Sequence, residues 1–228
     1  QVDSDTYALA YTGTDGDGFI KTFTIDDDGT GVVAVDTLEH DAKDATHNSL
    51  VQVDSDTYAL AYTGTDGDGY ISTFTINADG TNITEVDTAE HDVNVVAHNS
   101  LVKVSFDTYA LAYTGDGSNG YISTFFIDSD GDISAAPAKT LVHDVNVATH
   151  NSLVKVDSDT YALAYTGEGE DGFITTFTIS SSSSSSSSSR GGGGNNCDYN
   201  GFGNNNSLRV YQVTYNIKTY EVQVQAYS

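Results

Sequence analysis

The stretch Thr57-Tyr-Ala-Leu-Ala-Tyr-Thr-Gly64 decides the fold of this chain. It occurs four times in the 228 residues, with spacings of 51, 51 and 52 residues between the copies. The first tyrosines of the copies are Tyr7, Tyr58, Tyr109 and Tyr161. Each copy is followed by a Gly- and Asp-rich turn and then by a segment of aromatic and β-branched residues. Self-similarity at a fixed period of this length is typical of repeat architectures, in which each repeat is one supersecondary unit.

The second copy shows a complete repeat with four strand-like segments, which are 47–53, 57–63, 70–76 and 83–88. Within 57–63, threonine and alanine alternate with tyrosine and leucine, which predicts a strand buried on both faces. Small side chains on one face and bulky ones on the other let stacked sheets interdigitate at core density. We therefore expect the alanines of one sheet to face the tyrosines of the next.

Four short antiparallel strands in about fifty residues are the content of one blade of a β-propeller. The segment 83–88 is the most polar of the four, as expected for an outer edge strand. A stacked solenoid is the alternative, although its repeats are usually shorter. We predict an all-β fold, a β-propeller-like array of four-stranded blade repeats in four copies, followed by a C-terminal β-hairpin. The copies cover residues 1–46, 47–97, 98–149 and 150–179.

The fourth copy reads Ser-Leu-Val-Lys-Val-Asp-Ser-Asp-Thr-Tyr-Ala-Leu-Ala-Tyr-Thr-Gly over 152–167 and Asp-Gly-Phe-Ile-Thr-Thr-Phe-Thr-Ile over 171–179. This unit resembles the tandem repeats of long extracellular proteins of environmental bacteria. The resemblance covers residues 1–179 only, and it implies propeller blades and an extracellular location. It brings no catalytic motif, because those repeat proteins offer none that could be transferred to this chain.

The remainder of the chain differs in composition. Residues 180–194 are ten serines, Arg190 and four glycines, which indicates a flexible linker or a placeholder for residues of unknown identity. Residues 195–228 contain two alternating segments, 208–215 and 219–227, which predict a β-hairpin. Because an isolated hairpin is marginally stable in water, we expect it to dock on its own array or, by β-augmentation, on a neighbouring subunit.

Charge and composition narrow the classes of function. The chain has 8 basic and 33 acidic residues, a formal net charge of −25. A surface this acidic repels nucleic acid and anionic lipid, so neither is an expected partner. No apolar run is long enough for membrane insertion, and Cys197 is the only cysteine, so no internal disulfide forms. The chain has no signal-peptide pattern and starts in mid-repeat, so we expect it to be a processed or truncated piece.

The acidic turns are candidate calcium sites, because closely spaced carboxylates on a glycine-bent loop supply the oxygen ligands that calcium prefers. The opposing interpretation is that Asp and Gly serve the backbone angles of hairpin turns. No copy has the full twelve-residue pattern of a calcium-binding loop. Calcium is the only cofactor that we predict. The candidate ligands are Asp15, Asp17, Asp26, Asp28, Asp66, Asp68, Asp128, Asp130 and Asp132.

Aromatic residues that follow the Gly- and Asp-rich turns are candidate glycan-binding residues, because we expect them to be exposed. They are Phe19, Tyr70, Tyr121 and Phe173. The tyrosines of the alternating strand are expected to belong to the core instead. Two acceptor sequences for N-glycosylation occur, at Asn82 and Asn205.

Histidines recur in pairs separated by seven residues, with one pair at each of the three junctions between repeats. The pairs are His40 and His47, His91 and His98, and His143 and His150. Imidazoles from several blades could bind a metal on the axis of a propeller. The alternative is that each histidine makes hydrogen bonds within its own blade, and recurrence in every copy favours this structural role.

Short catalytic motifs are absent from the chain: there is no nucleophile elbow, phosphate loop or zinc-protease helix motif. The sequence therefore predicts a non-enzymatic extracellular structural protein. It would be a subunit of a filament, surface layer or adhesive fibre that assembles with copies of itself through β-strand contacts. The alternative is a carbohydrate- or calcium-binding propeller module, with glycans as partners. The expected location is extracellular or at the cell surface.

Overall fold

A computed structural model describes residues 1–134 and 136–179, together with the backbone of two strands at 210–216 and 222–227. These residues form four antiparallel sheets, one for each sequence repeat. The Ser/Gly tract of 180–194 lies outside the described residues.

The first sheet contains three strands and the second contains four, and both are antiparallel meanders in which chain neighbours pair. Their strands are β1 (Thr6–Thr12), β2 (Gly18–Ile25), β3 (Val32–Asp41), β4 (Thr46–Gln52), β5 (Thr57–Thr63), β6 (Gly69–Thr75) and β7 (Thr84–Asp92). The third sheet contains four strands and the fourth contains five. Their strands are β8 (Ala97–Lys103), β9 (Thr108–Thr114), β10 (Gly120–Phe126), β11 (Lys139–Asp144), β12 (Thr149–Lys155), β13 (Thr160–Thr166), β14 (Gly172–Thr178), β15 (Val210–Asn216) and β16 (Val222–Tyr227).

The predicted C-terminal hairpin is present as β15 and β16. Strand β15 pairs antiparallel with β14, with Thr175 opposite position 214, and β16 pairs with β15. Of the two docking modes expected from the sequence, the structure has the hairpin on its own array, where it continues the fourth sheet outward. Backbone hydrogen bonds to an existing sheet give the hairpin the support that an isolated hairpin lacks.

The sheets pack face to face through the alternating strand of each repeat. The alanines Ala59 and Ala61 of β5 lie in one buried cluster with Tyr109 and Tyr113 of the third sheet. The same arrangement joins the first sheet to the second and the third to the fourth. In β5 and β9 all seven residues are buried. The expectation that alanines face the tyrosines of the next sheet is therefore met at all three interfaces.

The strands that precede the alternating strands, β4, β8 and β12, pack beside one another. The Ser49 hydroxyl of β4 accepts a hydrogen bond from the Leu101 backbone N–H of β8 at 2.9 Å. Ser100 makes the same contact with the N–H of Leu153 in β12 at 2.9 Å. The His-Asn-Ser-Leu-Val motif thus lies on the inner side of the array, and its serine links each sheet to the next.

The turns that follow β6 and β10 connect the outer parts of neighbouring sheets. The Thr22 hydroxyl of β2 donates to the Gly80 carbonyl at 2.6 Å, and the Thr73 hydroxyl donates to the Gly131 carbonyl at 2.6 Å. Gly80 has a left-handed backbone (φ +82°), and an added Cβ would lie 2.9 Å from Thr6. Glycine is therefore required both for the turn and for its close approach to the preceding sheet.

One histidine in each of the first three repeats lies between two sheets with its ring nitrogens buried. The His91 ring lies edge-on to Tyr113 at 5.1 Å and to Phe125 at 5.6 Å, and both of these residues belong to the next sheet. Burial lowers the pKa of His91 to about 4, although the Asp92 carboxylate opposes the shift. Burial likewise lowers the pKa of His40 to about 4 and that of His143 to about 3. These imidazoles are neutral at pH 7 and act as apolar packing groups.

We therefore expect acid to begin destabilising the array at a higher pH than protonation of carboxylates alone would. A histidine with a folded pKa near 4 and an unfolded pKa near 6.5 binds its proton first in the unfolded chain, so stability is complete above pH 6.5 and falls as the pH is lowered towards 4. Each buried histidine contributes about 1–3 kcal/mol to this loss. We expect His91→Leu to reduce the slope of unfolding free energy against pH between 6.5 and 4 in urea titrations. An unchanged slope in this variant would contradict the assignment.

Candidate functional site

One end of the four sheets, which we call the turn face, carries the Gly- and Asp-rich turns. These turns are short 3-10 segments at Thr14–Gly16, Thr65–Gly67, Asp116–Ser118 and Glu168–Glu170. The loops that lead from one sheet to the next lie at the same end, because the Val96 N–H donates to the Gly67 carbonyl at 2.8 Å. Equivalent hydrogen bonds hold Ala45 to Gly16 and Ala148 to Ser118. The turn face therefore combines two loops from each of the first three repeats with the 3-10 turn of the fourth.

A cleft of about 380 Å³ opens on the turn face between the second and third sheets. The second sheet contributes the end of β7 and the loop that follows it, and the third sheet contributes two tyrosines and its 3-10 turn. The lining residues are Glu90, His91, Asp92, Val93, Asn94, Tyr113, Asp116, Tyr121 and Thr140. Of the predicted glycan-binding residues, the structure places Tyr121 in this cleft.

Tyr121 stacks on Tyr113 with ring centroids 5.3 Å apart and an angle of 15° between the ring planes. The sequence predicted exposed aromatic rings at this position, whereas the ring of Tyr121 is half-buried. The reason is Gly115, which precedes the turn: a Cβ at this glycine would lie 2.6 Å from the Tyr121 ring. The missing side chain lets the ring fold back over the inner tyrosine and leaves part of it facing the cleft.

The polar groups of the cleft are connected across the two sheets. The Tyr113 hydroxyl donates to Asp92 Oδ2 at 3.3 Å, and Asp92 Oδ1 accepts from the backbone N–H and the side-chain amide of Asn94 at 3.0 and 2.9 Å. Burial raises the pKa of Tyr113 well above its ordinary value, so its hydroxyl remains a donor. Asp92 and Asn94 are therefore held in fixed positions at the mouth of the cleft.

The electrostatic character of the cleft is acidic. Glu90, Asp92 and Asp116 supply three carboxylates, and none of the nine lining residues is Lys or Arg. The half-buried His91 is neutral at pH 7 because desolvation lowers its pKa to about 4. The cleft consequently offers hydrogen-bond acceptors and an aromatic ring, and it repels anions.

The aromatic stacking recurs at the other two sheet interfaces, and the tyrosine–aspartate hydrogen bond recurs at the third. Tyr62 stacks on Tyr70 at 5.6 Å, and Tyr165 stacks on Phe173 at 5.4 Å. The Tyr165 hydroxyl donates to Asp144 Oδ2 at 3.1 Å, as Tyr113 does to Asp92. In the first sheet Phe19 stacks on Tyr11 at 5.6 Å. All four predicted glycan-binding residues thus occupy equivalent places next to an inner-strand tyrosine.

Sequence reasoning did not select Asp92, Asn94 and Asp116. A signal for the first two was present, because Asp92-Val-Asn94 recurs as Asp144-Val-Asn146 directly after the histidine of the next repeat. Its meaning depends on contacts with the following sheet, which a single repeat does not contain.

The second histidine of each pair lies on the inner side of the array. The rings of His47 and His98 are 4.7 Å apart, and those of His98 and His150 are 4.5 Å apart. All three have a left-handed backbone with φ of 53 to 55°. They meet as the axial hypothesis predicted, but no group of three or more His, Cys, Asp or Glu side chains within the described part of the chain is arranged to hold a metal ion.

The predicted calcium ligands are divided between the two ends of the sheets. Asp15, Asp17, Asp66 and Asp68 belong to the turn face, and the remaining candidates belong to the turns after β2 and β10 at the opposite end. Asp28 accepts hydrogen bonds from the N–H and hydroxyl of Thr30 at 3.0 and 2.7 Å, and these bonds lower its pKa. These contacts suit the turn interpretation, and calcium binding stays a prediction.

The two predicted glycosylation acceptors differ in what the structure describes. Asn82 is exposed, with a left-handed backbone (φ 57°), in the turn between β6 and β7. Asn205 lies outside the described residues. Modification of either residue stays a prediction.

No protein-family model and no curated protein matches the chain, whereas solved structures do. A protein described as a proposed 6-phosphogluconolactonase from Bacteroides fragilis matches with a TM-score of 0.56 and 13% identity, over 98% of this chain and 67% of that one. The periplasmic gluconolactonase PpgL of Pseudomonas aeruginosa matches with a TM-score of 0.54 and 10% identity, over 98% and 83%. The SapL1 lectin in complex with α-methyl fucoside matches with a TM-score of 0.50 and 13% identity, over 99% and 77%.

At these identities the likeness shows the fold, and it confirms the predicted β-propeller-like array. The prediction that the chain is not an enzyme is contradicted, because proteins described as lactonases are among the matches. That prediction relied on the absence of short motifs, and a site assembled from several sheets needs no such motif. Among the described residues, no helix has the length and apolar character needed to cross a membrane.

The acidic turns allow a direct test of the calcium prediction. Asp128 Oδ1 accepts from the backbone N–H groups of Asp130 and Asp132, both at 3.0 Å. We expect Asp128→Ala to lower the free energy of unfolding by about 1 kcal/mol, equally with calcium and with a chelator. Urea titrations in both buffers, with Asp130→Ala as the control in the same turn, would measure this. A loss confined to the calcium buffer would support a calcium site instead.

Proposed function

We propose that this protein binds neutral saccharides in the clefts between neighbouring sheets on its turn face. The observation that carries the proposal is the cleft of about 380 Å³ in which Tyr121 lies beside the carboxylates Asp92 and Asp116. This volume falls within the range of small-ligand sites. A sugar ring has an apolar C–H face that packs on an aromatic ring, and hydroxyl groups that donate to carboxylates.

The charge of the cleft selects among saccharides. Three carboxylates line it without a lysine or arginine, so a phosphate, sulfate or carboxylate on the ligand would be repelled. The whole chain carries a formal net charge of −25, which adds to this repulsion. Neutral hydroxyl groups face no such penalty, since carboxylates accept charge-assisted hydrogen bonds from them.

Repetition of the site supports a role in adhesion to glycans. The stacked aromatic pair and the tyrosine–aspartate hydrogen bond occur at the second and third sheet interfaces, and the aromatic pair occurs in all four repeats. Several weak sites on one face give an effective affinity well above that of a single site when the target carries closely spaced sugars.

The structural matches support a sugar-directed role more than a filament. One match is a lectin solved with α-methyl fucoside, and others are described as a 6-phosphogluconolactonase and a gluconolactonase. We also propose a location outside the cytoplasm. PpgL, which matches this fold, is described as periplasmic. Because enzymes share this fold, hydrolysis of gluconolactone belongs in the functional test.

The test is binding of the wild-type chain to an array of neutral, sialylated, sulfated and phosphorylated glycans, with α-methyl fucoside as a first soluble probe. We expect neutral glycans alone to bind. Changing Tyr121→Ala should weaken binding at that cleft about tenfold or more, because the variant loses its aromatic contact. The triple variant with Tyr70→Ala and Phe173→Ala should lose binding to the array.

Two matched variants act as controls. Tyr121→Phe should retain binding, since Phe173 occupies the equivalent place in the fourth repeat. Phe106→Ala removes an aromatic ring that is 77% exposed at the opposite end of the third sheet and should bind like the wild type. Binding of anionic glycans, or undiminished binding by the triple variant, would refute the proposal. Gluconolactone hydrolysis that disappears in the triple variant would assign the clefts to a hydrolase.

A further inference from the structure

Each of the two terminal sheets has one exposed face, and the equivalent face of each inner sheet is buried. At the internal interfaces, the alanine-bearing face of one sheet packs on the tyrosine-bearing face of the next. The first sheet has no preceding sheet and the fourth has no following sheet among the described residues. The first sheet therefore leaves its tyrosine-bearing face open, and the fourth sheet leaves its alanine-bearing face open. These are the two kinds of face that pack together at the three interfaces within the chain.

The open tyrosine face consists of Tyr7, Leu9 and Tyr11 in β1 and their cross-strand partners Phe23, Lys21 and Phe19 in β2. Leu9 is 53% exposed, whereas the equivalent leucines Leu60, Leu111 and Leu163 are 0% exposed. The strand Thr-Tyr-Ala-Leu-Ala-Tyr-Thr is the same in all four copies, so the leucine itself does not explain the difference. The first sheet lacks a packed neighbour on this face, and Lys21 lies opposite Leu9 where the other copies have serine or threonine.

The open alanine face consists of Val154, Val156, Ala162, Ala164 and Ile174 in the fourth sheet. At the third interface, the equivalent residues of the third sheet, among them Val104, Ala112 and Ile122, lie in the buried cluster. Val156 is 62% exposed, compared with 6% for Val104, and Ile174 is 39% exposed, compared with 3% for Ile122.

The outer turn of the first repeat also differs from those of the second and third repeats in its contacts. Gly80 and Gly131 both touch the preceding sheet, where Thr22 and Thr73 donate to their carbonyls. Gly29 has the same left-handed backbone in the first repeat, but nothing lies within 4 Å of the position of its added Cβ. The turn of the first repeat is thus shaped for docking on a preceding sheet.

We propose that the open tyrosine face of one copy of this chain binds the open alanine face of a second copy. The two halves are complementary because equivalent faces of the other sheets pack on each other at the three interfaces within the chain. The contact is head-to-tail, so it uses different surfaces on the two partners and leaves one open face on each. Such a contact either propagates or closes when the remaining faces meet. The proposal is independent of saccharide binding.

Charge opposes this association and gives it a salt dependence. Each copy has a formal net charge of −25, so two copies repel each other at long range. Salt screens this repulsion over about 10 Å at 0.1 M, while apolar packing is not weakened by screening. We therefore expect association to strengthen as the salt concentration rises.

The test uses sedimentation velocity of the full chain over a range of protein and salt concentrations. The wild type should form species larger than a monomer in a concentration-dependent way. Leu9→Asp and Ala164→Asp each place a carboxylate in one of the open faces, and each should weaken association about a hundredfold or more. Both positions are exposed in the single chain, so the variants should fold, and their melting curves would verify this.

Mixing the two variants distinguishes head-to-tail contact from other kinds of association. Each variant retains one intact face, so an equimolar mixture should form a species of two copies and nothing larger. Phe106→Asp, which introduces the same charge at a 77% exposed site outside both faces, should behave like the wild type. A wild type that stays monomeric in all conditions, or a mixture that stays monomeric, would overturn the proposal.

Discussion

Packing of a small-residue face against an aromatic face is the interaction on which this structure depends. Every repeat carries alanines on one side of its central strand and tyrosines on the other, so a sheet cannot bury both sides alone. Stacking neighbours supplies the missing partners and makes β5 and β9 fully buried. The bulk of one face fills the space left by the other, which is how density close to that of a protein core is reached with an identical strand in every layer.

The polar contacts between sheets follow from this packing and hold its register. Serine hydroxyls join the inner strands, threonine hydroxyls join the outer turns, and neutral histidines fill the space beneath the tyrosines. The serine and threonine hydroxyls are buried or half-buried, so leaving them unpaired would carry a desolvation penalty. The candidate site arises at the same boundary, because Asp92 of one sheet receives a hydrogen bond from Tyr113 of the next.

Much of the fold was accessible from the repeat alone. The alternation in 57–63 predicted a strand buried on both sides, and β5 has those bounds. The four-stranded unit, the order of its turns and the C-terminal hairpin were likewise predicted. The cleft was predicted only in its aromatic residues. Asp92 and Asn94 were not recognised, because their role depends on a hydrogen bond between residues 21 positions apart and in different sheets. The absence of an enzyme motif also proved a poor guide, since propeller folds include proteins described as lactonases.

The sequence by itself determined the period, the strands and the two unlike faces of each sheet, because these depend on side-chain size and alternation within one repeat. Only the tertiary structure decided what each copy of the same strand experiences. Leu9 and Leu60 occupy identical positions in identical heptapeptides, yet one is half exposed and the other is buried. The tertiary structure also placed the hairpin on β14 and brought aspartate, asparagine and tyrosine together in a cleft. The physical reason is that burial and hydrogen bonding between sheets depend on which neighbour is present, and a repeated sequence does not encode its own neighbours.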